Sequence, residues 1–545
     1  MTEPLPAGPP VPAQGPPSGV SPLPGLGAVA VASAEPVRPL RTDVACFAGR
    51  TRRGPVGVAV RVTDWAGFAA VFGDLDPRLV LPASVRGFFS NGGTALWVVR
   101  AEAEGAVTAG APWPAAAPGP FAPATGCRVD AASPGGWADG TRLTIRHRAT
   151  GPADRTGVLV RVEAPGEPVE SFGWLPAERL PGEVAAGSRL VRLVPDGPPP
   201  GPVARSGTHV VALAGGGPAP GGTAPSDGER LAEAYAAAVR TMVELPEPAL
   251  LALPDLDVSG VGPGRREALA DLLVEGCADA MDRLALLDPP LPASGGPTGG
   301  PAEALDTVVD WVRDLRARHD TARSQACAVY WPPLRVPDPV ATGLPALRTV
   351  PASGHVAGVV ARLDRERGAF ATPANASLED VVDLTHVLTP EQEVAVFASG
   401  ANLLRCPPGR GPLVWGGRTT VRPENAEGVG SGWFVAHRRL VHQLVRAARE
   451  VAEPLLFEPH SPGLRLLLVQ GLTELLLGLY EAGALAGDRP AQAFRVRCDD
   501  ALNPPEQVAG GVLVCQVEVA PAAPMEFITV RLVLGRRDRL EVVEG

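Results

Sequence analysis

The chain has 545 residues, 45% of them hydrophobic, and a formal net charge of −10; it is long enough for about three or four domains and too acidic overall for a protein that binds nucleic acid by neutralising phosphates. All 49 basic residues are arginine, which excludes a P-loop lysine, a Schiff-base lysine and a Ser-Lys dyad. No apolar run is read as approaching the ~20 residues that span a bilayer, and the opening MTEPLPAGPPVPAQGPPSG lacks the charge and apolar core of a secretory signal, so cytoplasmic synthesis and assembly without direct membrane insertion are expected.

In chain order, residues 1–40 form a flexible Pro-rich extension, too poor in apolar surface to offset its ordering entropy. Within it GLGAVAVA (25–32) alternates as a short strand arm does. Residues 41–103 read as a βαβ-like unit. RTDVACFAGRTRRGP gives a buried strand and turn, and VTDWAGFAAVFGD sets Trp65, Phe68, Val71 and Phe72 at helical spacing with Thr63 or Asp64 as cap. A helix over LVLPASVRGFFSNGG and the strand TALWVVRA follow. An Ala/Pro linker opens an inserted β-rich domain over 104–205, with the alternating strands TRLTIRHRA, GVLVRVEA and SRLVRLV. From 206 to 433, strands such as HVVALAG, ALLALPDL, RLALLDPP and CAVYWPPLRV alternate with helices at the spacing of a parallel α/β sheet.

Residues 434–545 form the C-terminal region. Helix 434–452 is amphipathic, with Leu440, Val441, Leu444 and Val445 on one side and Arg438, Arg439, His442, Arg446 and Arg449 largely on the other. Helix 462–482 is apolar almost all round and is expected to be buried. The paired β segments beyond it, closed by APAAPMEFITVRLVL, carry a strand edge able to template another chain, the mark of an assembly module rather than a catalytic domain.

Little in the chain points to chemistry. Asn91-Gly92-Gly93 reads as a helix C-cap feeding a strand rather than a phosphate turn. No G-x-S-x-G elbow and no H-E-x-x-H spacing occur, so His355 reads as a satisfied structural histidine. Asp499-Asp500 lacks the further oxygen ligands of a calcium loop. Seven well-separated cysteines read as small buried hydrophobes. No catalytic, metal or cofactor-binding residue is expected.

Four separated blocks resemble contractile tail sheath proteins, the polymers around the tube of phage tails and related injection particles. They are TDVACFAGRTRRGPVGVAVRVTDWAGFAAVFG with LPASVRGFFSNGGTALWVVR; VDAASPGGWADGTRLTIR, where Ala138-Asp139 stands for the usual Gly-Asn; VPASGHVAGVVARLDRERGAFATPAN with GANLLR and GRGPLVWGGRT; and FEPHSP through PMEFI. PGLGAVAVASAEPVRPL departs from the family's P-G-V-Y-x-x-E arm.

The resemblance implies a multidomain α/β and α+β protein: an α/β central domain, an inserted β-sandwich-like domain and an α+β C-terminal assembly domain with exchanged terminal strands. It implies a structural subunit and no enzyme, a homo-oligomer of stacked hexameric rings around an inner tube protein, with baseplate and terminator partners, in a phage tail or tail-like particle that is released. The strands expected to join subunits are Ala28, Val29, Ala30, Val31 and Ala32 at one end and Phe527, Ile528, Thr529, Val530, Arg531 and Leu532 at the other; Arg438, Arg439, Arg446 and Arg449 are the tube-facing candidates. Two rival readings stay open: a sheath-like baseplate or cap component, and a hydrolase on the central α/β region.

Overall fold

The structure is a computed structural model and describes residues 41–113, 127–148, 157–176, 179–195, 207–217, 227–291, 301–344, 346–422, 432–455, 458–459, 461–522, 528–534 and 540–544. The arm Ala28–Ala32 and Phe527 lie outside them.

Short strands that are apolar at every position can be satisfied only by a sheet covered on both faces, and four such strands, Ala45–Gly49, Leu250–Ala252, Leu284–Leu287 and Cys327–Trp331, build the centre of the molecule. Leu96–Arg100, Ala45–Gly49, Leu250–Ala252, Leu284–Leu287, Cys327–Trp331 and Asn402–Arg405 run parallel in that spatial order, and antiparallel pieces extend both margins into a nine-stranded sheet. The pleat sorts the side chains. Ala45, Phe47, Leu250, Leu284 and Leu286 pack on one face with helices Leu81–Ser90 and Ser353–Arg367, whereas Cys46, Ala48, Leu251, Ala285 and Val329 pack on the other with helices Asp227–Glu244, Pro263–Ala280 and Pro301–Arg318.

Local chemistry explains several quoted motifs. Asp64 caps helix Trp65–Phe72, accepting from the Gly67 amide at 2.6 Å. Arg53 reaches the other end of that helix and donates to the carbonyls of Ala69, Ala70 and Val71; Ala69 also accepts from the Gly73 amide, and the other two are last-turn acceptors that the helix gives no donor. Asn91 closes helix Leu81–Ser90 and, fully buried, exchanges hydrogen bonds with the main chain of Glu379. The G-H-V-A-G sequence lets two helices touch: a Cβ on Gly358 would lie 2.4 Å from the Phe88 carbonyl oxygen, and one on Gly87 would meet the His355 ring at 2.2 Å.

The inserted region holds a four-stranded antiparallel sheet and a three-stranded one around a shared core. Strand Gly207–Ala212 pairs antiparallel with Arg142–Arg148, so this unit runs past residue 205 and the HVVALAG segment is not part of the central alternation. Exposure alternates along it, with His209 and Val211 half-buried between exposed Thr208, Val210 and Ala212, the pattern of an antiparallel strand with one covered face rather than a parallel core strand. Arg100 fastens the insertion to the central sheet, donating to the carbonyls of Gly54 and Pro134 at 2.9 and 3.0 Å. CAVYWPPLRV likewise divides into Cys327–Trp331, in the central sheet, and Leu334–Pro337, in a separate three-stranded sheet.

Candidate assembly surfaces

Phe494–Arg497, Leu513–Val519, Ile528–Leu534 and Leu540–Glu544 form one antiparallel sheet in sequence order. Ile528–Leu534, expected from the sequence as an exchanged terminal strand, pairs within its own chain along all seven residues of Leu513–Val519. The outer position belongs to Leu540–Glu544, a strand that the sequence reading missed although L-E-V-V-E has the composition of one. Beneath the sheet, Leu513, Cys515, Val517 and Val519 share a core with the two long helices Val435–Ala452 and Pro462–Glu481.

Helix Val435–Ala452 corrects the sequence reading. Its arginine side is not solvent-facing: Arg438, Arg439 and Arg446 are 3%, 2% and 1% exposed. Arg446 donates to the carbonyls of Arg41 at 2.9 Å, Glu247 at 2.8 Å and Asp282 at 3.0 Å, and to that of Pro248. Those residues immediately precede the central strands that begin at Ala45, Leu250 and Leu284. Arg439 forms a buried ion pair with Asp364 and donates to the Thr42 carbonyl at 2.7 Å. Arg449 pairs with Asp282 at 2.6 Å, and Arg438 donates to His442 at 2.9 Å and Gln325 at 3.1 Å. The guanidiniums therefore satisfy strand-start carbonyls that would otherwise be buried without donors.

The electrostatics fit this enclosure. Burial, partly offset by Asp282, brings Arg446 down to about 10. Burial and the surrounding Arg438, Arg439, Arg446 and Arg283 hold His442 well below its ordinary range, so it accepts from Arg438 as a neutral ring.

Helix Pro462–Glu481 departs from expectation in the opposite sense. It is long and apolar enough to cross a bilayer by length and composition. In the fold only the stripe Leu464, Leu468, Leu472, Leu476 and Leu479 is buried, while Leu466 and Leu467 are 56% and 57% exposed and Leu477 is also exposed. One stripe suffices for a helix that caps a single sheet face, and the opposite side meets nothing among the described residues of the chain.

The remaining candidates take structural places. His355 is buried with neither ring nitrogen hydrogen-bonded among the described residues, so it is structural but not satisfied, and burial brings it down to about 3. Asp499 and Asp500 pair with Arg497 and Arg465. No cluster of three or more potential metal ligands occurs among the described residues. A cavity of about 100 Å³ at the carboxyl ends of the central strands is lined by Asp257, Arg266, Glu267, Asp288 and Trp311 among apolar residues, with no serine, threonine, cysteine or histidine in its wall. Cys406 is exposed and Cys498 half-buried, so the cysteines are not uniformly core residues.

No family model matches the sequence. Among curated relatives, the tail sheath protein of Vibrio phage KVP40 is 25% identical over 194 residues and that of Burkholderia phage BcepMu 27% identical over 219, or 35% and 38% of this chain. The matches span only 27% and 42% of those relatives. Solved structures agree over far more of the chain. A sheath tail protein from Listeria innocua superposes with a TM-score of 0.61 at 11% identity, covering 91% of this chain and 96% of that one. The contracted helical sheath of the anti-feeding prophage gives 0.52 at 20% identity, covering 93% and 98%. The chain thus shares the fold of solved sheath proteins over nearly all its length and is similar in sequence to two curated tail sheath proteins over a little more than a third of it.

Proposed function

We propose that the protein is a structural sheath subunit of a contractile phage tail or tail-like injection particle, polymerising helically around an inner tube and shortening to drive that tube through a target envelope. The likeness to a helical sheath across 93% of the chain carries this reading. Heterologous contacts that do not close generate such helical polymers, and the energy for contraction is stored at assembly, so no nucleotide is required.

In this reading the subunits are linked by main-chain pairing. The C-terminal sheet supplies the ladder. A segment from Ile528 onward pairs with Leu513–Val519 within one chain and can make the same main-chain bonds with the corresponding strand of a neighbour, while the arm Ala28–Ala32 adds to a neighbour's open edge. The exposed leucine face of Pro462–Glu481 is the surface presented to the rest of the particle. The arginine side of Val435–Ala452 is a strut that makes the sheet and the α/β core move as one body.

Negative-stain microscopy of the purified chain, alone and with its tube protein, tests the reading. Striated cylinders are the expected outcome. Featureless monomers under both conditions, or short rings that never stack, would assign it another role.

A further inference from the structure

Continued one residue beyond its last pair, Arg497 with Gln516, the register sets Cys498 across from Cys515. Two observations identify the kind of pair. The Ala520 amide donates to the Ala493 carbonyl at 2.8 Å, and the Asn503 side chain takes both main-chain groups of Val514, at 2.6 and 2.9 Å. Even-numbered residues of this strand therefore aim their main-chain groups at the Phe494–Arg497 side, and odd-numbered Cys515 does not. Cys498 and Cys515 thus form a non-hydrogen-bonded pair, where Cα atoms approach to about 4.5 Å, inside the roughly 4.4–6.8 Å that a disulfide spans. Both are free thiols in this structure.

The two sulfurs are not equivalent. Cys515 is buried in the core beneath the sheet, whereas Cys498 is half-buried at its margin with the Asn503 amide nitrogen 3.9 Å from its sulfur and Arg465 nearby. The hydrogen bond from Cys515 lowers the Cys498 thiol most, against the opposing effect of burial and with help from Arg465 and Asn503. The same hydrogen bond and burial push Cys515 far up. This is an accessible attacking sulfur beside a buried resolving one.

We propose that Cys498 and Cys515 are a peroxide-oxidised pair that closes to an intrasubunit disulfide, stapling strand Phe494–Arg497 to Leu513–Val519. The Cys498 thiolate attacks one peroxide oxygen, the O–O bond breaks, and the released hydroxide takes up a proton as water, leaving a sulfenic acid. The Cys515 sulfur then attacks the sulfenic sulfur, the S–O bond breaks, and hydroxide leaves with the Cys515 proton as a second water. Two thiols lose two electrons and one peroxide becomes two waters. The staple closes the 499–514 connection and leaves the ladder between Leu513–Val519 and Ile528–Leu534 untouched.

The chain offers a direct readout, because trypsin cuts after Arg497 and next after Arg531, so both cysteines fall on one peptide, Cys498–Arg531. The full chain is treated with hydrogen peroxide, alkylated under denaturing conditions and digested. The expected peptide lacks two hydrogens and accepts no alkyl group until dithiothreitol is added, and the oxidised protein melts at a higher temperature. Exposed Cys406 serves as the internal control for reagent access. If Cys406 is oxidised while Cys498–Arg531 takes two alkyl groups, or gains oxygen without losing hydrogens, the proposal fails. The Cys498→Ser protein should keep Cys515 alkylatable and lose the rise in melting temperature; persistence of that rise would also overturn it.

Discussion

Asp255 shows how one buried carboxylate sets a pH dependence. It accepts from the Arg50 amide at 2.6 Å and the Tyr235 hydroxyl at 2.8 Å, yet burial outweighs both and raises it to about 6. A group raised in the folded state stabilises fully below its unfolded value, and that contribution is lost as pH climbs through the folded one. His355, lowered to about 3, has the opposite sign: its contribution is present above about 6.5 and lost as pH falls. The Asp255→Asn protein removes one of these two opposed terms. Its unfolding free energy relative to the parent should carry a constant offset from the lost acceptor and, between about pH 4 and 7, move in favour of asparagine by roughly 3 kcal/mol. Denaturant melts at several pH values measure it, and a flat difference would show that Asp255 titrates normally.

The arginine helix is an element whose surroundings reverse its apparent role. An exposed row of arginines makes pairs worth about 0.2–1 kcal/mol each. Enclosed arginines are different, because removing one partner of a buried pair strands a charge at a cost of about 3–5 kcal/mol. Asp364→Asn should therefore destabilise the isolated subunit by an amount in the second range, and Arg439→Met in the same chain should restore part of it, since the stranded cation is then gone. Equilibrium unfolding of the two variants checks both. A cost in the first range for Asp364→Asn would return Arg439 to the surface.

At the scale of the whole molecule, the proposed assembly divides the C-terminal sheet into a half that builds the fold and a half that serves linkage. The core under it is assembled from residues between Leu440 and Val519. Removal of residues 523–545 should thus leave a folded, monomeric chain with its thermal transition retained, and abolish cylinders in negative stain. Normal cylinders from the truncated chain would place the linkage elsewhere.

How much of this was legible in the sequence depended on whether the signal was local. Strand and helix periodicity, the Asp64 cap and the Asn91 helix end are written within a few residues, because each reflects main-chain geometry or a cap that the next turn must accept. The four quoted blocks, in order, pointed to the sheath family for the same reason: turn glycines, helix ends and strand starts recur at fixed spacing. Periodicity states which side chains share a face, but not what stands opposite. The arginines of Val435–Ala452 are polar by every local measure and are buried because partners far apart in the chain converge on them: the carbonyls of Arg41, Glu247, Pro248 and Asp282 on Arg446, and Asp364 with the Thr42 carbonyl on Arg439. The leucines of Pro462–Glu481 are apolar by the same measure, yet Leu466, Leu467 and Leu477 are exposed, because a single sheet face covers a single stripe. Cys498 and Cys515, separate in sequence, became a pair only through a strand register, which is fixed by the core beneath the sheet. The sequence by itself determined the elements and the family likeness, and the tertiary structure decided which faces are closed, since burial is a property of what folds against a residue and not of the residue.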